Sequence, residues 1–482
     1  MRFMKIKILG SCISILLLFV SCKKNNNSPD SPSANGTVEE KIMDSVYLYS
    51  KEVYYWNDLI PSYSDFNPRQ YKSSSELSSA QNVMAAIRSL QEKDRYSFVT
   101  TKEESDGIQT GQSTSFGFFV KSSSTDKVSP IDSVYWFVNY VYDQSTAGLN
   151  GVKRGWRINK INGSQINYDQ ASVNILNDVF FGTASTASFE FIKPDGSTAS
   201  SSLNKSSFQA NSVLYKNVFT SGAKKIGYFV FNQFFGAFSR NELTNVFSDF
   251  ESSGINELIV DLRYNPGGST ETQDALADLI VPPSANNQKM YSLQFNQQLQ
   301  QGDFPLLKLK PDFANTSFAE GINTVNIQKS GSLNLSRVFF IVSSSSASAS
   351  ELVINNLKPY MDVKLIGDTT YGKPVGFFPI EISNYAIYPI SFRTVNSIGN
   401  ADYYNGFAPD KVMADGVEKD WGNVEEPCLA EALKYINTGS FRIAADDHIS
   451  FLRKEAQDNM KPVQKQLELK KFSGMYRENN KQ

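Results

Sequence analysis

Apolar residues near the start of the chain recur every three or four positions, the period of a helix with one buried face. This spacing predicts a helix over 38–56, with inward residues Val38, Ile42, Val46, Tyr49, Val53 and Trp56. A second helix is predicted over 81–90, with Val83, Met84, Ile87 and Leu90 facing inward. We therefore predict a helical N-terminal region over residues 38–107.

From residue 108 the pattern changes to short apolar runs separated by Gly, Ser and Asn, which favour turns. Strands are predicted over 117–120, 134–141, 156–161 and 187–192, and one helix is predicted over 168–179. Residues 108–207 are therefore predicted to form a small unit, here named the β-rich module.

From residue 208 predicted strands alternate with predicted helices. The strands cover 225–231, 257–261, 337–342 and 363–366, and the helices cover 239–252, 270–279 and a segment starting near Ser348. Alternation of this kind predicts an α/β fold with crossover helices, in which ligands bind beyond the carboxyl ends of the strands. We assign residues 208–437 to this core. Residues 438–482 are a charged tail, which is amphipathic from 441 and predicted to be helical.

The first residues predict export. Basic residues precede an apolar run over 8–20, which is typical of a signal peptide and too short to span a bilayer. The run ends in LFVSC at 18–22, which resembles a bacterial lipobox, although Phe19 departs from the usual aliphatic residue. Removal of residues 1–21 would then leave a lipidated Cys22 on a polar tether over 22–37. A plain signal peptide with a chance cysteine is the alternative.

Composition narrows the class of protein further. The 482 residues are 40% apolar, enough for a sizeable core and about three domains. After loss of residues 1–21 the chain has 44 basic and 49 acidic residues, a formal charge of −5, and nothing indicates nucleic-acid binding. Cys22 and Cys428 then remain, and acylation of Cys22 leaves no intrachain disulfide. We expect a lipid-anchored protein of the bacterial cell envelope, in the periplasm or at the outer membrane.

Several kinds of catalytic site are excluded. The single histidine, His448, lies in the charged tail, so a Ser-His-Asp mechanism has no base within the core. A site with several histidine ligands is impossible, no acidic cluster has ligand spacing, and no glycine loop for phosphate is present. We therefore predict neither a metal nor a cofactor.

The stretch SSSSASASELVINN at 343–356 places small residues where a predicted strand becomes a helix. It can be a flexible linker, or the spacing from Ser348 to Glu351 can be that of a helix capping box. A serine here can also be a nucleophile, if a lysine with a lowered pKa acts as its base. Lys373 in YGKPVGFF, at 371–378, is the candidate, because glycines permit close approach and aromatic residues exclude water. A solvated loop lysine is the alternative.

An oxyanion hole requires backbone N–H groups near the nucleophile. The run LIVDLR at 258–263, which ends a predicted strand, is followed by a glycine pair, Gly267 and Gly268, and Ala349 adjoins Ser348 at a helix start. These residues are candidate donors, and an ordinary turn between strand and helix is the alternative.

The motifs DLRYNPGG, SASASE and a G-K turn with its lysine 25 residues after Ser348, in this order, resemble the carboxyl-terminal processing (tail-specific) serine protease family. The resemblance implies a crotonase/ClpP-like α/β protease core. It implies Ser348 as nucleophile, Lys373 as base, and Gly267 or Gly268 with Ala349 at the oxyanion hole. Many members carry glutamine four residues after the lysine, whereas this chain has Phe377.

The β-rich module resembles a PDZ domain. Phe116, Gly117 and Phe118 match its carboxylate-binding loop, which implies that substrate is held by its C-terminus as an added strand. The usual G-D pair is Gly155-Trp156 here, which leaves the specificity open.

These observations predict a serine endopeptidase that cleaves proteins or peptides near their C-termini through an acyl-enzyme. A non-catalytic relative that binds peptide tails is the alternative that Phe377 favours. A third alternative is an adhesion or scaffold protein, which only the stretches rich in Ser and Asn support. The sequence does not indicate an oligomeric state.

Overall fold

The computed structural model describes residues 32, 35–124, 134–319, 321–441, 458 and 474–478. The predicted signal peptide, Cys22, His448 and most of the charged tail lie outside these residues. Within the described part of the chain, every helix is too short or too polar to cross a membrane. Lipidation and envelope localisation therefore stay predictions.

The N-terminal region is mainly helical. Helix α1 begins at a capping box, in which Thr37 and Glu40 accept from each other's backbone N–H groups, and it ends before Tyr54, whose backbone is extended. The predicted second helix begins earlier than expected, because Ser75 caps it by accepting from Ser78 N. The elements are α1 (Val38–Val53), α2 (Tyr63–Phe66), α3 (Glu76–Arg88), β1 (Phe98–Thr101) and α4 (Lys102–Thr110).

The β-rich module has its own apolar core, in which aromatic residues of the strands pack against helix α6. Its elements are β2 (Gln112–Ser115), β3 (Phe118–Ser124), β4 (Val134–Val141), α5 (Thr146–Leu149), β5 (Arg157–Ile161), β6 (Ser164–Gln165), α6 (Gln170–Phe181), β7 (Thr186–Ile192), β8 (Thr198–Asn204) and β9 (Ser206–Gln209). The sheet order is β3-β4-β5-β7-β8, with every pair antiparallel, and β2 pairs separately with β9.

The α/β class predicted for the core is confirmed. A six-stranded sheet has the order β10-β11-β12-β16-β17-β22, and its strands are parallel from β11 onward. The strands are β10 (Val213–Ser221), β11 (Lys224–Phe231), β12 (Glu257–Asp261), β16 (Arg337–Val342), β17 (Asp362–Gly367) and β22 (Lys411–Val412). The helices are α7 (Ala237–Ser253), α8 (Thr270–Ile280), α9 (Gln297–Gln300), α10 (Ala349–Leu357) and α11 (Pro427–Thr438). Because β12 and β16 are parallel neighbours, the segments that follow them meet at one edge of the sheet.

A second six-stranded sheet has the order β13-β23-β18-β21-β14-β15, and a small third sheet joins β1 to β20 and β19. These strands are β13 (Gly267–Ser269), β14 (Lys289–Phe295), β15 (Thr324–Asn326), β18 (Val375–Phe377), β19 (Ile380–Ile382), β20 (Tyr385–Tyr388), β21 (Phe392–Asn396) and β23 (Gly474–Tyr476). The prediction of helix for the tail is wrong for 474–476, because this segment pairs as a strand between β13 and β18.

Candidate active site

The chain reverses sharply between β16 and α10, and Ser348 lies at the turn. Its φ of 60° and ψ of −106° are an uncommon conformation for a residue with a side chain, of the kind that occurs at functional turns. The neighbouring serines hold this turn in place. Ser346 Oγ donates to Leu262 O (2.8 Å), and Ser350 Oγ donates to Asn265 O (3.0 Å). Ser348 Oγ is buried and has no hydrogen-bond partner among the described residues.

Lys373 lies in the loop between β17 and β18, and its side chain is fully buried, with 0% exposed. Its Nζ lies 4.1 Å from the centre of the Phe377 ring and 4.5 Å from that of Tyr96. Burial lowers the pKa of the Lys373 ammonium well below its usual value, although the negative charges of Asp94 and Glu351 oppose this shift. The pocket therefore favours the neutral amine that a general base requires.

Glu351 joins the turn of Ser348 to the turn of Lys373. Its Oε2 accepts from Ser348 N (2.9 Å) and from Lys373 N (2.8 Å), while its Oε1 accepts from Gly372 N (2.7 Å) and Thr370 Oγ1 (2.6 Å). The first contact is the glutamate half of the predicted capping box. Burial raises the pKa of the Glu351 carboxyl, and the donated hydrogen bonds oppose this. This carboxyl fixes the two turns relative to each other.

The predicted oxyanion residues lie close together, two of them in the segment that follows β12 and one at the start of α10. A Cβ atom placed on Gly267 would lie 3.0 Å from Ala349 N, so the glycine backbone packs directly against the start of α10. Gly267 N donates to Asn265 Oδ1 (2.9 Å), and a Cβ on Gly268 would lie 2.0 Å from Phe234 O. With φ values of 105° and 139°, both positions favour glycine. The Gly267 N–H has an acceptor in this state, and Gly268 pairs with Met475 in the ladder between β13 and β23, so both glycines stay candidate donors.

The predicted peptide-binding residues of the β-rich module are mostly structural in this state. The side chains of Phe116 and Phe118 are 1% exposed and pack in the module's core. Gly117 has a φ of 84°, and its N–H donates to Ser115 Oγ (3.1 Å). Their binding role stays a prediction.

The sequence did not point to three residues of this site. Tyr96 forms one wall of the lysine pocket, and its hydroxyl donates to Gly372 O (2.8 Å). Asp94 lies on the same loop and accepts from Tyr96 N (2.9 Å). No local pattern marks either residue. Asn265, in contrast, is part of the DLRYNPGG motif and could have been singled out there.

Comparison with known proteins defines the class as a serine-type peptidase. Residues 225–418 match the model of peptidase family S41, which confirms the predicted resemblance. A "Probable CtpA-like serine protease" of Staphylococcus aureus (strain bovine RF122 / ET3-1) is 25% identical over 385 residues, which are 80% of this chain and 67% of that protein.

A solved "S41 protease" structure from Bacteroides fragilis NCTC 9343 has the same fold. It superposes with a TM-score of 0.62 at 21% sequence identity, covering 85% of this chain and 99% of that one. The multidomain α/β architecture is therefore shared with a solved protein.

Proposed function

We propose that the chain is an endopeptidase in which Ser348 is the nucleophile and Lys373 is the general base. The observation that carries this proposal is the complete burial of Lys373, which lowers its pKa, in a turn that Glu351 joins to the turn of Ser348. A buried amine with a lowered pKa is suited to proton transfer.

The reaction follows from these positions. Ser348 Oγ attacks the carbonyl carbon of a peptide bond while neutral Lys373 takes the hydroxyl proton. The N–H groups of Gly267 or Gly268 and of Ala349 stabilise the negative oxygen of the tetrahedral intermediate. The C–N bond then breaks as Lys373 returns its proton to the leaving amine, which produces an acyl-enzyme. Water attacks the ester, again with Lys373 as base, and protonation of Ser348 Oγ releases the acid.

We propose further that substrates are proteins or peptides with accessible C-termini, which the β-rich module holds by the carboxylate. The match of Phe116, Gly117 and Phe118 to a carboxylate-binding loop supports this proposal. The LFVSC ending at 18–22 supports a lipid anchor at Cys22 in the bacterial cell envelope, in the periplasm or at the outer membrane.

The alternative of a non-catalytic binder rested on Phe377. In the structure the Phe377 ring lines the lysine pocket and helps to keep water out. A phenylalanine at the position where many members carry glutamine is therefore compatible with catalysis. Phe377 therefore no longer favours a non-catalytic binder.

The test is hydrolysis of an unfolded protein, β-casein, by the parent chain and by Ser348→Ala and Lys373→Met variants. We expect both variants to lose at least about a thousandfold in kcat/KM, because the two groups act as a unit. A Ser344→Ala variant, which changes an exposed serine of the same turn, is the matched control and should keep full activity. Mass spectrometry should detect an acyl-enzyme in the parent only. Retained cleavage by Ser348→Ala would show that another residue is the nucleophile.

A further inference from the structure

The C-terminal strand β23 lies between the two strands that carry the proposed active site. It runs parallel to β13, which contains the glycine pair, and parallel to β18, which follows Lys373. Gly474 N donates to Pro266 O (3.0 Å), and Arg477 N donates to Phe377 O (2.9 Å). This segment is therefore bonded on both sides, to the oxyanion turn and to the lysine strand.

The backbone of this segment reaches the oxyanion residues themselves. The carbonyl oxygen of Gly474 lies 2.5 Å from the point that a Cβ of Gly267 would occupy, and Ala349 N lies 3.0 Å from that same point. A carbonyl group of the chain's own tail is thus placed beside the N–H groups that a substrate carbonyl must approach.

Side chains of residues 474–478 anchor the segment. Met475 and Tyr476 are fully buried, and Met475 Cγ lies 2.7 Å from the point where a Cβ on Gly376 would be. Glu478 accepts from Arg240 Nη1 (2.5 Å) and from Ser269 Oγ (2.5 Å). The buried side chains of Met475 and Tyr476 and the contacts of Glu478 therefore hold the segment in position beside the site.

An extended substrate that pairs with β13 or β18 would need the same place. A peptide that adds to this sheet as a strand must form hydrogen bonds with the edge of β13 or of β18. The position between these two strands holds only one peptide at a time. In this state, with residues 474–478 between β13 and β18, Ser348 and Lys373 are both 0% exposed.

We propose that residues 474–478 are an autoinhibitory strand that competes with substrate for the position between β13 and β18. This inference rests on the proposed function of the site, because it concerns access of a substrate to Ser348. It predicts that the enzyme is most active when the segment is removed or displaced.

The test compares the full chain with a chain that ends at Ser473 and with a control that ends at Glu478 and lacks only the last four residues. We expect the chain ending at Ser473 to cleave β-casein with a kcat/KM at least tenfold above that of the full chain. The control ending at Glu478 should match the full chain. A cooperatively unfolding chain ending at Ser473 whose kcat/KM equals or falls below that of the full chain overturns the proposal.

A synthetic peptide provides a second measurement that does not depend on catalysis. Fluorescently labelled Gly-Met-Tyr-Arg-Glu amide should bind the chain ending at Ser473 and raise its KM for β-casein, but should not bind the full chain. Equal binding to both chains contradicts the proposal. Cleavage that persists in Ser348→Ala would refute the proposed nucleophile, whereas the binding comparison would still decide whether the position is occupied.

A point variant covers the case in which the shortened chain does not fold. Met475→Ser in the full chain removes one anchor but keeps the strand's backbone, and we expect it to raise kcat/KM about threefold. An unchanged or lower kcat/KM in a variant that unfolds cooperatively would show that the segment supports the site and does not block it.

Discussion

The rings of Phe377 and Tyr96 exclude water from the amine of Lys373. Their ring centres lie 4.1 Å and 4.5 Å from Nζ, and burial is the main cause of the lowered pKa of the lysine. A group whose charged form is cationic loses its proton more readily when water is excluded. Activity should therefore appear as pH rises through the pKa of Lys373, and anything that lets polar groups near the amine should move that rise to higher pH.

Phe377→Gln tests this relation at the position where many relatives carry glutamine. The amide would stabilise the ammonium form, so we expect kcat/KM at pH 7 to fall about tenfold, which corresponds to about 1.4 kcal/mol. The loss should disappear toward alkaline pH, where the amine is neutral in both proteins. The measurement is the pH profile of kcat/KM. Phe377→Leu, which keeps the pocket apolar, should retain a profile close to that of the parent.

A rise in activity at pH 7 in Phe377→Gln, with the profile unmoved, would contradict this view. It would mean that a hydrogen bond from the amide orients the amine, and that orientation matters more here than exclusion of water.

At the scale of elements, the first turn of α10 positions the two catalytic turns. Glu351 is fully buried and receives four hydrogen bonds, three of them from backbone N–H groups of Ser348, Gly372 and Lys373. An amide in its place accepts at only one atom, and its NH₂ group would face N–H donors. A buried donor without an acceptor costs about 1–3 kcal/mol.

We therefore expect Glu351→Gln to lower the free energy of unfolding by about 3 kcal/mol and kcat by at least about a hundredfold. Urea unfolding and steady-state kinetics measure the two effects. The control is Glu381→Gln, whose carboxylate lies on β19 and is half-exposed in its pair with Lys102, and which should change stability by less than about 0.5 kcal/mol. A Glu351→Gln enzyme with parental kcat would show that the carboxyl is only structural.

The elements themselves were largely predictable, because buried parallel strands are apolar throughout. The runs over 257–261 and 337–342 matched β12 and β16, and the motifs after them identified the segments that meet at the site. The order of the strands could not be predicted, since pairing depends on tertiary packing. The strand at Gly474–Tyr476 was missed for the same reason: three residues carry no periodicity, and their partners lie about 100 and 200 residues away.

At the scale of the whole molecule, a buried charge network joins the β-rich module to the protease core. Asp415 accepts from Lys121 Nζ (2.8 Å) and Arg154 Nη2 (3.1 Å) of the module, and from Arg263 Nη1 (3.0 Å) of the core. Arg263 and Tyr264, which also donates to Asp415, directly precede the turn with the glycine pair. The interface therefore shares a carboxylate with the segment that leads to the oxyanion hole.

The pKa of Asp415 gives the sign of its pH dependence. Burial opposes ionisation, but Lys121, Arg154 and Arg263 hold the pKa of this carboxyl well below its usual value. A carboxyl with a depressed pKa in the folded state contributes stability at every pH above its unfolded pKa, and loses this contribution only as pH falls through the folded value. The contribution should thus be complete at pH 5 and unchanged at pH 7.

Asp415→Asn should lower the free energy of unfolding by about 3–5 kcal/mol, because it leaves buried Arg154 without a carboxylate partner, while Arg263 keeps Asp261 and Glu426. Urea unfolding at pH 7 and pH 5 should show the same loss at both values. Asp402→Asn, which changes a largely exposed carboxylate paired with Arg393, should cost less than about 0.5 kcal/mol. If the two variants lose equally little, the network does not stabilise the junction, and the module is held to the core by apolar packing of residues such as Tyr140 and Tyr142.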